Sequence, residues 1–273
     1  MIGTCFCTIA FQKNKWGRDR TVERPLGRIV PVVAAAGYDA IEIWGPHLAA
    51  LSEADLGRAE RLLSESGVRV AMVSPYFDFT TSPETASRSL DLGRRTLALA
   101  RRIGSRAVRC FTGYVGSAEA TEEQWRRAVR SLQALADEGP DVLWALETHG
   151  RNLMDTVESS ERLVGEAGRP NVRLILQPAT FGEAYLGASR RLAGLSCHVH
   201  AANSRQGRGT DLASGQMDWR AILALLDRAG FDGYVSVEWM GDDPEAAARR
   251  EAPYLAALRD ALGGADGDAA AQR

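Results

Sequence analysis

The chain has 273 residues, 45% hydrophobic and 25% charged, with a formal net charge of −2. Such a length supports a well-buried core and suits one α/β barrel as well as two smaller domains. The near-neutral balance leaves no electrostatic footprint for nucleic acid or a membrane surface, and no apolar stretch reaches membrane-spanning length.

No basic region followed by a long apolar run opens the chain, so no signal peptide is expected and the expected compartment is cytoplasmic. Four cysteines, Cys5, Cys7, Cys110 and Cys197, lie in or beside apolar strands without a CxxC pair, as buried thiols in a reducing compartment do. Strand-like segments follow one another at Ile2–Ile9, Ala40–Trp44, Arg69–Val73, Arg106–Phe111, Leu143–Glu147, Val172–Gln177, Ser196–His200 and Tyr234–Glu238. Between them apolar residues recur at three- and four-residue spacing, first around Leu51, Leu56, Leu62 and Leu63. The same helical spacing returns at Leu90–Ile103, Trp125–Ala136, Val157–Ala167, Trp219–Ala229 and Pro244–Leu262. The piece between Gln177 and Ser196 is less regular. Glycine-containing stops precede several strands, as at Ser66-Gly67 and Gly104-Ser105.

Short apolar strands without alternation indicate burial on both faces, hence a parallel sheet. Eight βα units predict an α/β fold with a single (β/α)8 TIM barrel over residues 1–262, followed by a small polar tail, 263–273, expected to be disordered. A doubly wound open sheet is the competing architecture. It is disfavoured because chemistry-bearing residues recur at so many strand ends, including the last.

Those residues are Glu147, Gln177, His200 and Glu238, each at the end of a hydrophobic strand. In a barrel, strand ends converge at the C-terminal mouth, and oxygen and imidazole donors gathered there suit a divalent metal. Mn or Mg is the expected ion, with Co or Zn as alternatives. Gln177 brings an oxygen but no charge, so the bland reading is a substrate hydrogen bond without metal. Glu147-Thr-His149 sets a carboxylate and an imidazole on one side of the chain, a pairing that suits proton removal beside a carbonyl. Glu147, His149 and Glu238 are therefore the catalytic candidates; a plain salt bridge is the alternative for Glu238. All four histidines fall near the expected mouth. His47 and His198 are read as substrate-facing groups, although a hydrogen-bonded core role suits His198 equally. Tyr76 and Trp239 would wall the pocket. Arg205 and Arg208, in a glycine-containing loop after the seventh strand, would grip a carboxylate, phosphate or hydroxyl-rich substrate.

Cys7-Thr-Ile-Ala-Phe11, Gly37-Tyr-Asp-Ala-Ile-Glu-Ile-Trp-Gly45, Glu147-Thr-His149 with Asp155-Thr156, and Val237-Glu-Trp239 resemble the xylose isomerase-like TIM-barrel superfamily. Within it they look most like the 3-dehydroshikimate dehydratase branch. The resemblance covers nearly the whole chain and implies metal ligands at Glu147, Gln177, His200 and Glu238, with His149 as a base. The chain departs from the family pattern on two strands. Strand 6 normally carries Asp with a histidine three residues on, where this chain reads Gln177-Pro-Ala-Thr180. Strand 7 often continues with Lys before Asn or Asp, where this chain has Ala201-Ala202-Asn203. Endonuclease IV activity is disfavoured, because its cluster needs more His and Asp ligands than the chain supplies.

The leading expectation is a divalent-metal-dependent isomerase or epimerase that enolises a small polyhydroxy carbonyl or keto-acid substrate. Loss of water from the same enolate, as in a dehydratase, is the alternative. A non-catalytic barrel that binds a small polyol is the second alternative. No nucleic-acid or membrane partner is expected, and homo-oligomerisation is left open.

Overall fold

The computed structural model describes residues 1–13, 20–49, 51–239 and 241–270, with side-chain surroundings through Leu262. Eight parallel strands close into a barrel: β1 (Ile2–Cys7), β2 (Ala40–Trp44), β3 (Arg69–Ser74), β4 (Ala107–Cys110), β5 (Leu143–Glu147), β6 (Val172–Leu176), β7 (Ser196–Ala201) and β10 (Gly233–Val237). Neighbours follow chain order around the ring, and β10 closes it against β1 in the register Ile2↔Gly233 to Phe6↔Val237. β8 (Asn203–Arg205) and β9 (Arg208–Thr210) form a separate antiparallel hairpin on the loop after β7. The open-sheet alternative is thereby excluded.

Around the ring lie α1 (Leu26–Ala35), α2 (Pro46–Ala49), α3 (Glu53–Ser66), α4 (Pro83–Arg102), α5 (Glu122–Glu138), α6 (Val157–Ala167), α7 (Tyr185–Leu192), α8 (Trp219–Arg228) and α9 (Pro244–Ala270). Their starts follow local chemistry. Ser52, Ser82, Thr121, Thr156 and Asp218 each cap the following helix by accepting a backbone N–H at its first turn. At Thr121 and Thr156 the third helical residue answers with its own side chain and completes a capping box. Gly67 ends α3 at φ 71°, a left-handed conformation that glycine adopts without steric cost.

Three helices, α1, α2 and α7, lie outside the helical stretches expected from the sequence. α1 fills the gap between the first two strands, burying Ile29, Val30 and Val33 against the barrel. α7 forms inside the irregular, glycine-bearing stretch before β7. α9 runs from Pro244 to Ala270.

Strand side chains alternate between two environments, because successive residues point to opposite faces. One set, including Phe6, Ile41, Ile43, Val108, Leu146, Leu174, Val199 and Val237, packs under the helices. The other forms the interior: Cys5, Ala40, Met72, Ala107, Ala145 and Ile175 plug its lower part. Continuing that second set by period two toward the C-terminal ends brings Glu42, Ser74, Arg109, Glu147, Gln177, His200 and Glu238 inward at the mouth. The apolar plug lies below those polar groups.

Candidate active site

His200 lies at the centre of the polar layer and is 1% exposed. Its two ring nitrogens face different companies. Nε2 lies 3.2 Å from both oxygens of Glu42, on the second strand. Nδ1 lies 3.4 Å from Gln177 Oε1, 3.6 Å from Glu147 Oε1 and 3.8 Å from Glu238 Oε2. Oxygens from three different strand ends thus converge on one imidazole nitrogen. His198, two residues earlier and deeper, sets its Nε2 3.1 Å from Glu42 Oε2. Glu42, His198 and His200 offer ligand-type atoms all within 4.8 Å of one another, a second compact set that could hold an ion.

Glu42 is fully buried in Ala-Ile-Glu-Ile-Trp, and Ser74 donates its hydroxyl to Glu42 Oε1 at 2.6 Å. Burial opposes its ionisation, but the imidazoles of His200 and His198 outweigh that and hold the carboxyl well below the usual range. His200 moves the other way: burial works against its charge, while Glu42, Glu147 and Glu238 together raise it well above an ordinary histidine. Burial dominates at His198 and lowers it, even with Glu42 alongside.

Glu147 is paired on its far side. Arg109, 3% exposed on β4, donates from Nη1 to Glu147 Oε2 at 3.0 Å and from Nη2 to the Pro75 carbonyl at 3.1 Å. Its guanidinium carbon lies 4.6 Å from the ring centre of Tyr76 and 4.9 Å from that of Phe111. Burial raises Glu147, but Arg109 and then His200 outweigh it and bring the carboxyl down. Among the described residues, no arginine pairs with Glu238. Burial, with the neighbouring Glu147 and Glu42 charges, raises it despite the pull of His200.

The other anticipated residues are spread around this centre. His149 sits half-buried at the mouth with its ring 5.4 Å from Phe111 and Nδ1 2.7 Å from the Gly150 carbonyl. A carbonyl only accepts, so that nitrogen carries the proton and a neutral ring keeps a lone pair on Nε2. Tyr76 accepts from Trp44 Nε1 at 3.0 Å and stacks beneath Arg20 at 3.6 Å. Trp239 and Glu238 line one side of a cavity of about 250 Å³ under the hairpin. His47 is buried against Trp44, and its Nε2 accepts from Gln12 Nε2 at 3.3 Å; burial holds it down to about 4. Arg205 and Arg208 are not in a loose loop. They face each other across the hairpin, joined by Gln206 and Gly207 at φ 52° and 75°, and both are exposed. The four cysteines are free and buried.

Glu42 and Arg109 escape a search restricted to strand ends, and Ser74, which ends β3, lies one residue past the strand expected from the sequence. The available signal was a lone charge inside a short apolar strand, Ala-Ile-Glu-Ile-Trp and Ala-Val-Arg-Cys, where an unpaired charge is too costly to bury.

Residues 30–258 match the family model described as xylose isomerase-like TIM barrel, and the chain belongs to that family. It is 26% identical over 153 residues to the 3-dehydroshikimate dehydratase of Bacillus anthracis, a match covering 54% of each chain, so about half that relative's length. It is 24% identical over 250 residues to a putative hydroxypyruvate isomerase of Streptomyces coelicolor, covering 82% of this chain and 89% of the relative. Among solved structures, an L-ribulose 3-epimerase superposes with a TM-score of 0.81 at 23% identity, covering 97% of both chains. That likeness establishes the fold alone. The named relatives comprise a dehydratase, an isomerase and an epimerase. Among the described residues, no helix is long and apolar enough to cross a membrane.

Proposed function

We propose that the chain is a divalent-metal-dependent isomerase or epimerase that removes a proton next to the carbonyl of a small polyhydroxy carbonyl or keto-acid substrate. The observation that carries this reading is the convergence of Glu147, Gln177 and Glu238 oxygens on His200 Nδ1. Ligands at about 2.1–2.2 Å from a common ion stand roughly 3 Å apart when adjacent, so modest closure of the observed spacing would suit Mn or Mg. The charge balance agrees. Among the described residues, Glu42, Glu147 and Glu238 face one buried arginine, Arg109, and a divalent cation would offset the two carboxylates left over.

Two donor sets compete for the ion, and the geometry of Glu42 favours the one at Nδ1. Glu42 already accepts from Ser74 and both histidines at ordinary hydrogen-bond distances, so its oxygens are committed. Glu147 Oε1, Gln177 Oε1 and Glu238 Oε2 instead have His200 Nδ1 as their shared neighbour, and Glu147 meets Arg109 through its other oxygen. When bound, the ion would polarise the substrate carbonyl and offset charge developing on its oxygen.

The chain's own groups supply the rest. His149, with its Nδ1 hydrogen held by Gly150, offers Nε2 as the proton acceptor. Arg109 keeps Glu147 ionised and fixes its orientation. Tyr76, Phe111 and Trp239 supply apolar walls. Returning the proton to carbon completes isomerisation or epimerisation. Expelling a β-hydroxyl instead completes dehydration, and the partial match to the dehydratase keeps that exit as the second reading.

Two measurements decide. Elemental analysis after Mn²⁺ loading and desalting should find about one ion per chain, and none retained would remove the reading. Incubation with keto sugars and hydroxy keto acids in D₂O should place deuterium at the α-carbon without loss of water, whereas a conjugated enone would select dehydration. Glu238→Gln should abolish turnover. A variant that keeps full activity would remove Glu238 from the site, and substrate binding without turnover in the parent chain would point to a binding protein.

A further inference from the structure

Glu42 plays no part in the proton transfer proposed above, yet it is among the most completely buried charges in the barrel. A carboxylate without access to water persists only where donors repay its lost hydration. Three such donors meet it: the Ser74 hydroxyl at 2.6 Å, His198 Nε2 at 3.1 Å and His200 Nε2 at 3.2 Å. They approach from β3 and β7, so two strands besides Glu42's own β2 fix the plane of the carboxylate.

We propose that Glu42 is a positioning residue: held by Ser74 and His198, it binds the Nε2–H of His200 and thereby turns the Nδ1 lone pair of that ring toward Glu147, Gln177 and Glu238. The inference rests on the metal reading of Glu147, Gln177, Glu238 and His200 Nδ1. A carboxylate cannot donate, so every neutral His200 ring facing it must carry hydrogen on Nε2. The only nitrogen then free to act as a ligand is Nδ1, on the side where the three oxygens converge. The negative charge of Glu42 also makes that nitrogen a stronger donor, as outer partners of ligating histidines do. An ion bound instead between Glu42, His198 and His200 would occupy Nε2, put the hydrogen on Nδ1, and leave Glu238 without a cation.

The test uses the full chain and Mn²⁺ alone. Calorimetric titration of the parent protein, Glu42→Gln and Ser74→Ala compares affinities, and circular dichroism confirms that each variant is folded. Glu42→Gln is expected to weaken Mn²⁺ binding about 10–100-fold, because its amide can donate to Nε2 and so admits the wrong tautomer. Ser74→Ala should weaken it less, in the same direction. With Mg²⁺ as a diamagnetic ion, ¹⁵N shifts of the His200 ring should show hydrogen on Nε2 and none on Nδ1 in the parent protein, a pattern that Glu42→Gln disturbs.

Parent-like affinity and an unchanged ¹⁵N pattern in Glu42→Gln would overturn the proposal. If that variant does not fold, parent-like affinity in Ser74→Ala would do the same. Retained binding in Glu147→Gln and Glu238→Gln, with loss in His198→Gln, would place the ion among Glu42, His198 and His200 and also overturn it. Absence of Mn²⁺ binding by the parent protein is a separate result, which removes the metal reading itself.

Discussion

Arg109 and Glu147 form a pair from which neither partner can be taken singly. Both are nearly inaccessible to water, so Arg109→Met would strand a buried carboxylate. The expected cost is about 3–5 kcal/mol in urea unfolding, and Arg109→Met with Glu147→Gln should recover much of it. Equal losses in the single and double variants would mean that packing, not charge, holds Arg109. His47 gives a pH-dependent counterpart. Its folded value of about 4 lies below the ordinary 6.5, so the unfolded chain binds the extra proton between those limits. Its contribution is present above pH 6.5 and is lost as pH falls toward 4. His47→Gln should flatten the fall in stability across that window by up to about 3 kcal/mol, read as the difference from the parent chain. Side chains at this scale were only partly legible in the sequence. Glu147, Gln177, His200 and Glu238 announce themselves where apolar strands stop. Glu42 and Arg109 sit inside strands, and recognising them requires knowing which strand faces which across the barrel.

The elements were easier to read than the contacts between them. Strand positions follow from short apolar runs and the helices from their three- and four-residue spacing, so the (β/α)8 order was legible before any contact was known. α1 was not anticipated, although Ile29, Val30 and Val33 give it an apolar stripe. The hairpin was obscured because its strands are three residues long, too short for a periodic signal. Register was hidden as well. At Gly233 a β-carbon would meet the Cys197 carbonyl oxygen at 2.0 Å, a backbone atom held by the β7–β10 pairing. Gly233→Ala should therefore force those strands apart and cost about 1–3 kcal/mol or more in denaturant unfolding. No measurable loss would show that the pairing gives way without strain.

For the molecule as a whole, the proposed ion would act as a cross-strand tie, since its ligands come from the ends of β5, β6, β7 and β10. Mn²⁺ at a hundredfold excess over its dissociation constant should stabilise the fold by about 2.7 kcal/mol, raising the melting temperature by roughly 5–10 °C. An unchanged melting temperature under those conditions would mean that the ion binds folded and unfolded chains alike.

The closing seam has a consequence for the order of events during synthesis. β1 pairs with β2 on one side, but its other side waits for β10, whose residues lie more than two hundred positions later. At ordinary ribosomal speeds of about 5–20 residues per second, that edge stays without its partner for roughly 10–50 s. During that interval the backbone groups of Ile2–Phe6 are a template for any passing strand, a hazard that ends only when the ring shuts. The barrel is an edgeless object only once its last strand has emerged, and until then its opening segment depends on the company it keeps at the ribosome.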